Sequence, residues 1–471
     1  MTLFAVPWLE LALAAPTLGA VLAWLSRDPR AGWRIGFVFS GAAFLCTILA
    51  YIGHRTGAAP GGVTTYDFIH RLIGGRVFGV DDLNAPLLPF VAILHLLIVA
   101  GTTGGKAARL SFASVLTLEA VHLATFAAIH LHVLVGLLAL GTLLPFLELV
   151  ARGHLTRLYA MHMGLYVSLL AIGVAVGQQE GFATPLAWIP LAIAVVIRCG
   201  IAPAHLWVGN LFSSATFGTA ILMLTPMTGV LAAVRLLVPV CPEAVLEAVG
   251  VLSLVTALYA AGLAVVQIEA RRFIACLCIG NTALVLAGVC LATELGVTAA
   301  LSLWISAGIT LTGASFALRA VESRIGEIAL TEFHGFYDRA PALAVCFLFA
   351  GLGTVGFPGT LGFLPLEVLI ERAVTTSPAL GVGIAISIAL SGFAVLRAYA
   401  LIFTGTRHIS AIPLGVTHRE RFTFLAMALL VFGGGLLPQA LFDSRQPAAQ
   451  GLLEHRTRHA PANPIRPRPL Q

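Results

Sequence analysis

Charge is scarce in this chain. Of its 471 residues 10% are charged and 59% are hydrophobic, where a soluble domain carries about 25% charged residues. A water-soluble protein this apolar could not cover its own surface, so the composition points to lipid as the solvent. Lysine is nearly missing: Lys106 is the only one. The net charge of +6 comes from arginines spread over short loops. That excludes the continuous basic face a nucleic-acid binder needs. The seven cysteines lack metal-ligand spacing. Cys276 and Cys278, two apart, would point to different sides of a helix, which makes them small apolar fillers. No basic segment precedes the apolar stretch 3–25, and that stretch is too long for the core of a signal peptide, so no cleavable leader is expected.

What is present is a succession of apolar runs, each close to the roughly 20 residues that cross a bilayer. They fall near 3–26, 33–53, 82–103, 110–129, 131–151, 158–177, 184–207, 212–239, 245–268, 272–293, 296–318, 341–373, 379–404 and 421–440. The expected fold is therefore an all-α polytopic membrane protein with about fourteen transmembrane helices. The 341–373 run is too long for one straight helix. Basic residues orient the bundle. With the N-terminus outside, Arg27, Arg30, Arg34, Lys106, Arg109, Arg152, Arg157, Arg271, Arg272, Arg319, Arg324, Arg339, Arg407, Arg419 and Arg421 lie in the cytoplasm. The outer loops hold far fewer: Arg55, Arg71, Arg76 and Arg372. An even number of spans then places the C-terminus outside as well, in the cell (inner) membrane. The segment 445–471, rich in proline and arginine, reads as an extended tail or as a strip along a partner subunit.

Two spans differ from the rest. The seventh contains Arg198, Cys199, Gly200, Pro203 and His205; the twelfth contains Gly356, Phe357, Pro358, Gly359, Gly362, Pro365 and Glu367. Proline frees a helix carbonyl, and an interrupted backbone at membrane depth survives only inside protein or beside a wet cavity. Helix breaks are thus expected at Gly200–Pro203 and at Gly356–Pro358–Gly359. Each break lies in the fourth span of a five-span run. This suggests residues 1–109 as spans one to three and 110–240 as a first repeat. Residues 241–405 would be a second, inverted repeat, 406–440 the last span and 441–471 a tail. Paired interrupted helices in inverted repeats mark the ion pathway of coupled transporters. The pathway candidates are Arg198, His205, Glu148, Glu367, Glu119, His122 and Arg397. Each has a plainer reading. Arg198 can bind the carbonyls its helix break frees, and His205 can hydrogen-bond within the bundle. Glu148 and Glu367 can reach toward an interface. Glu119 and His122, three apart on one helix face, can pair with each other, and Arg397 can pair with a buried carboxylate. His130 and His132 sit at an outer turn.

Several of these segments resemble those of the proton-conducting transporter family, the antiporter-like membrane subunits of respiratory complex I and its relatives. Ala270-Arg271-Arg272-Phe273-Ile274-Ala275 is similar to the family's Leu-Lys-Arg-Leu-Ile-Ala. Val355-Gly356-Phe357-Pro358-Gly359-Thr360-Leu361-Gly362-Phe363 is similar to its Leu-Gly-Leu-Pro-Gly-Thr-x-Gly-Phe break. Pro203-Ala204-His205-Leu206-Trp207 is similar to its Pro-Phe-His-Thr-Trp, and 78–89 resembles the entry to the third span. The resemblance covers roughly residues 80–405. It implies fourteen core helices, two inverted five-helix repeats and an outside N-terminus.

It also implies a chain of buried groups that gain and lose protons, and here this chain departs. The family's lysine in the broken seventh span corresponds to Arg198, which stays charged. Its next lysine corresponds to Met227, counted back from Arg235. A polar residue of the tenth span falls at Asn281, and the histidine and lysine of the eleventh fall at Ala307 and Leu311. The glutamate of the fifth falls at Ala139 or Leu140, and the ionisable residue of the twelfth falls at Glu367 or one position before it. The resemblance therefore implies an antiporter-like subunit of a multi-subunit ion-translocating complex, of the NADH-quinone oxidoreductase type, with proton pumping reduced or lost. Two alternatives are a membrane subunit of an inorganic-carbon uptake complex paired with a large zinc-containing cytoplasmic protein, and a scaffold without transport. The expected partners are lipid and other membrane subunits, and nucleic acid is excluded. No quinone, haem, flavin or iron–sulfur ligand set is found, so no cofactor and no metal is implied.

Overall fold

A computed structural model of the chain describes residues 6–26, 28–58, 76–102, 111–405 and 416–459. Arg27, Arg71, Lys106, Arg109 and Arg407, used above to orient the bundle, lie outside the described residues, as does 460–471. The described chain is helical apart from turns and two isolated bridges, Phe78 with Ala128 and Glu269 with Ala329.

The helices are α1 (Trp8–Leu25), α2 (Pro29–Arg55), α3 (Leu87–Ala100), α4 (Phe112–Ala127), α5 (Leu131–Ala151), α6 (Arg157–Glu180), α7 (Pro185–Arg198) and α8 (Leu206–Ser214). They continue with α9 (Phe217–Leu224), α10 (Thr228–Ala232, then a π turn Ala233–Leu237), α11 (Glu243–Val266), α12 (Ala270–Cys290) and α13 (Glu294–Ile325). The last are α14 (Pro341–Thr354), α15 (Phe363–Thr376), α16 (Pro378–Phe403), α17 (His418–Leu436) and α18 (Pro438–His459). Local chemistry sets their starts. Asp28 accepts from the amides of Arg30 and Ala31 ahead of α2, with Pro29 in the first turn. Ser111 caps α4, Thr216 caps α9 and Thr293 caps α13. A reciprocal Thr417–Glu420 box opens α17. Each cap satisfies amides that the first helical turn leaves without partners.

Nine of the described helices are long and apolar enough to cross a membrane, or ten if the pair α17–α18, bent by 77°, is one span. Four more, α3, α4, α7 and α14, are apolar but shorter. Burial sorts them into layers. α12 is buried all round and α13 nearly so, as an apolar helix at the centre of a bundle must be. Around them α5, α6 and α16 bury about a third of their residues and α11 somewhat more. They turn Leu140, Leu143, Leu147, Val251, Val255, Val382, Ile386 and Phe393 outward, a display that water would penalise and lipid does not. The chain is a multi-pass, all-helical membrane protein.

Three interruptions break the helical pattern. α7 stops at Arg198 and α8 starts at Leu206, with Gly200 at φ +66° and Pro203 after a cis peptide between them. α14 stops at Thr354 and α15 starts at Phe363, with Gly356 at φ +69° and Gly359 at φ +84° flanking Pro358. The third was not anticipated. The run 212–239 is split at Pro226, where Met227 adopts a left-handed conformation (φ 51°, ψ 49°) before α10 begins. The tail reading of 445–471 also changes. Helix α18 runs to His459, and its buried Arg445 donates to the carbonyls of Leu83 and Asp82. Gln446 and Gln450 reach Glu294, and Arg456 reaches the carbonyls of Val238 and Cys241. These polar anchors fit α18 across the helix ends at one face of the bundle, where the freed carbonyls of the turns need donors.

Candidate functional site

The polar residues that matter are the ones the bundle buries. Arg198, last residue of α7, is 4% exposed. Its Nη2 donates to Thr228 Oγ1 (2.6 Å) and to the Met223 carbonyl (3.2 Å), and its guanidinium lies 5.7 Å from the Trp207 ring. The guanidinium therefore ties the break after α7 to the break between α9 and α10, since Met223 and Thr228 flank Pro226. Trp304 of α13 holds that second break from the other side by donating to the Pro226 carbonyl at 2.9 Å.

Beside Arg198 and within its electrostatic reach lies His122 of α4. His122 is 1% exposed and packs edge-on against His95 of α3, ring centroids 5.3 Å apart. His95 was missed in the sequence, although a lone histidine in the apolar run of α3 was the available signal. One turn back on α4, Glu119 is fully buried and accepts a 2.9 Å hydrogen bond from Ser40 of α2. The Glu119–His122 pair does not form: Glu119 is bonded to Ser40, and neither ring nitrogen of His122 has a partner among the described residues. Five polar atoms of this group have no hydrogen-bond partner among the described residues: Glu119 Oε2, His95 Nε2, both ring nitrogens of His122 and Arg198 Nε. Buried polar atoms without partners are costly and rare in structural roles, and ionisable groups at membrane depth mark function by default.

The other candidates lie elsewhere. Glu148 of α5 receives the Thr216 amide (2.7 Å) and the Thr219 hydroxyl (2.5 Å), so it caps α9, with Arg152 3.7 Å away. A carboxylate at a helix N-terminus is favourable there. His205 is half-buried against Tyr259, ring centroids 5.2 Å apart. Among the described residues Arg397 pairs with no carboxylate. It donates to the carbonyls of Gln267 (3.2 Å) and Leu330 (3.1 Å), which helix and loop ends leave free. Glu367 is exposed on α15 while Leu366 is 3% exposed. One residue is about 100° around a helix, so the interior position of the twelfth span belongs to the leucine. His130 and His132 are exposed, as expected, with His132 beside Gln178.

The second half of the interior is neutral. Asn281 donates to the Leu277 carbonyl, while Ala307 and Leu311 are buried. Ser302, Ser306 and Thr310 bond to carbonyls of their own helix. Charge gathers instead at one end of the central helices. There Arg271 pairs with Glu322 (2.9 Å) and Arg324 with Glu420 (2.8 Å), and Arg319 donates to Thr102.

Similarity to known proteins agrees with this architecture. The transmembrane family described as NADH:quinone oxidoreductase/Mrp antiporter matches residues 156–391. NADH-quinone oxidoreductase subunit M of Rickettsia conorii is 30% identical over 188 residues, 39% of this chain and 38% of that protein. Its counterpart in Rickettsia prowazekii is 25% identical over 285 residues, 59% of this chain and 58% of that protein. The match thus spans between 38% and 58% of these curated relatives' own length. Among solved structures, a chain of respiratory complex I from Thermus thermophilus with bound NADH superposes with a TM-score of 0.82 at 22% identity, covering 95% of this chain and 99% of that one. A chain of the Mrp complex from a Dietzia species gives 0.83 at 18% identity, covering 98% and 99%. At such identities the likeness concerns the fold.

Proposed function

Because the chain belongs to the NADH:quinone oxidoreductase/Mrp antiporter transmembrane family, we propose that it is an antiporter-like membrane subunit of a multi-subunit ion-translocating complex in which proton pumping is reduced or lost. The observation that carries this reading is the emptiness of the two central helices. From Phe273 to Cys290, and from Leu295 to Leu318, no Asp, Glu, His or Lys occurs. A proton crossing the second half would have to pass a stretch of apolar and hydroxyl side chains with nothing to hold it, which raises its barrier steeply. Arg198, at the end of the broken seventh span, cannot substitute, since a guanidinium keeps its proton. Its bonds to two helix breaks suit a fixed charge that braces the bundle.

In this reading the bundle has fourteen spans, counting α7–α8, α9–α10 and α14–α15 as one interrupted span each. Two five-helix units of opposite orientation follow the first three spans. Both termini lie on the outer side, the side of α18. The supports are the placement of the two glycine–proline breaks and the arginines gathered at one end of α12, α13 and α17. The test uses the full chain in liposomes under an imposed membrane potential. Proton entry should stay near that of empty liposomes. A substantial flux that Glu367→Gln abolishes would overturn the reading, because it would put a working proton group back in the twelfth span.

A further inference from the structure

We propose that His95, Glu119 and His122 form a proton-binding site in the first half of the bundle, with no continuation through its second half. The inference rests on the reading above that the second half carries no protons, and it names where a proton can still reside.

The three groups lie on α3 and α4, helices that the family match at 156–391 does not include, with Ser40 of α2 bonded to Glu119 and the His95 ring edge-on to His122. All three are buried, and each has at least one ring nitrogen or carboxylate oxygen without a partner. A histidine used only for packing needs its polar atoms satisfied. His95 meets this in part through Nδ1 on the Val91 carbonyl (3.0 Å), but His122 meets it through neither nitrogen. The His95–His122 contact places two groups able to exchange a proton edge to face. Glu119, three residues from His122 on the same face of α4, keeps Oε2 open while Ser40 holds Oε1.

The surrounding groups are few. From α7 comes Arg198, a fixed cation near His122, and from α6 come Tyr159 and Tyr166, both buried beside Arg198. α2 presents Ser40, and the one acidic residue of α1, Glu10, stands at the far end of that helix from Gly19, which faces Leu116 of α4. The site lies at mid-depth of α4, Glu119 seven residues from Phe112 and His122 five from Ala127. α2 and α4 begin together at one face, Trp33 donating to the Val99 carbonyl and Gly36 lying against Phe112. Toward the opposite face the row is shut by Phe126, one turn beyond His122, packed on Trp304 with ring centroids 5.9 Å apart. Loading moves one proton from hydronium to the Glu119 carboxylate or to one imidazole: an O–H bond of hydronium breaks, leaving water, as a new O–H or N–H bond forms, and release reverses the exchange.

The experiment combines two measurements on the full chain in lipid: infrared difference spectra between mildly acidic and mildly alkaline pH, and proton flux in liposomes. The expected result is a carboxyl difference signal that Glu119→Gln removes, that His122→Gln and His95→Gln shift, and that Glu367→Gln leaves, with flux at background throughout. Should Glu119→Gln fail to fold, Ser40→Ala keeps the carboxylate and must still shift that signal. A signal without flux sustains both the site and the functional reading. A flux that Glu119→Gln abolishes sustains the site and overturns the loss of pumping. Absence of the Glu119 signal in folded protein, with flux at background, overturns the site alone. Absence of that signal together with a flux indifferent to Glu119→Gln overturns both.

Discussion

Arg324 grips Glu420 through two parallel hydrogen bonds, Nη1 to Oε1 at 2.9 Å and Nη2 to Oε2 at 2.8 Å, and so ties the end of α13 to the start of α17. Glu420 is 1% exposed and also receives the Thr417 amide and hydroxyl. Removing the carboxylate strands a guanidinium in a mostly buried place, a loss of about 3 kcal/mol. Removing the Thr417 hydroxyl costs only a helix cap, about 1 kcal/mol. Glu420→Ala should therefore lower the melting temperature of the purified protein well below that of Thr417→Ala. Equal shifts would mean that the ion pair adds nothing to the cap.

Arg198 and Arg235 provide a second contrast. Arg235 pairs with Asp81, but both side chains are partly exposed, at 23% and 36%, where such a pair contributes at most about 1 kcal/mol. Arg198 is buried and joins two helix breaks. Arg198→Ala should lower the melting temperature by more than Arg235→Ala, and Arg198→Lys should fall between, since it keeps the charge and one of the bonds. Indistinguishable melting curves for the two alanine variants would remove the bracing role.

How far the sequence discloses this arrangement depends on the kind of signal. The helices announce themselves because a bilayer imposes length and hydropathy, and the breaks at Gly200–Pro203 and Gly356–Gly359 announce themselves because glycine and proline are both present. The third break has Pro226 and, three residues on, Gly229, but no ionisable side chain beside them, so the run reads as continuous. The buried row was half legible. Glu119 and His122 stand out as charged types in an apolar span, but their partners, Ser40 and His95, come from helices 79 and 27 positions away in the chain, and no local pattern encodes that. Glu367 stands one residue of helical phase from Leu366, which fills the interior position, and the sequence alone does not fix that phase. The α18 helix was hidden by its own composition, with Pro447 and five arginines and histidines masking a strip whose anchors are carbonyls of distant turns.

The glycines of the twelfth-span break are unequal in a way that can be measured. Gly356 and Gly359 both have positive φ, which disfavours any side chain by roughly 1 kcal/mol. A methyl group at Gly359 would meet nothing within 4 Å, whereas at Gly356 it would stand 2.7 Å from Leu366 Cδ1 and 3.1 Å from the Gly362 carbonyl oxygen. Gly359→Ala should cost the backbone strain only. Gly356→Ala should cost that plus displacement of Leu366, the residue that fills the interior position of α15. Thermal unfolding of the two variants checks the order, and a larger loss for Gly359→Ala would contradict the packing described at the break.

Arg445 decides whether α18 is held or merely resting on the bundle. It is fully buried, and its guanidinium donates to two backbone carbonyls, Leu83 at 2.8 Å and Asp82 at 3.0 Å, at the turn that leads into α3. Carbonyls at such a turn have no helical partner, so losing the arginine leaves the buried Leu83 acceptor unpaired, at about 1–3 kcal/mol, and the part-buried Asp82 carbonyl without its donor. Arg456 makes the same kind of contact with Val238 and Cys241 from a less buried position. Arg445→Ala should therefore release α18 to protease cleavage in the intact protein faster than Arg456→Ala does. Arg445→Lys, with one ammonium for two carbonyls, should give an intermediate rate. If Arg445→Ala is cleaved no faster than the unaltered protein, α18 is held by its apolar contacts, and the arginine serves some purpose other than anchoring it.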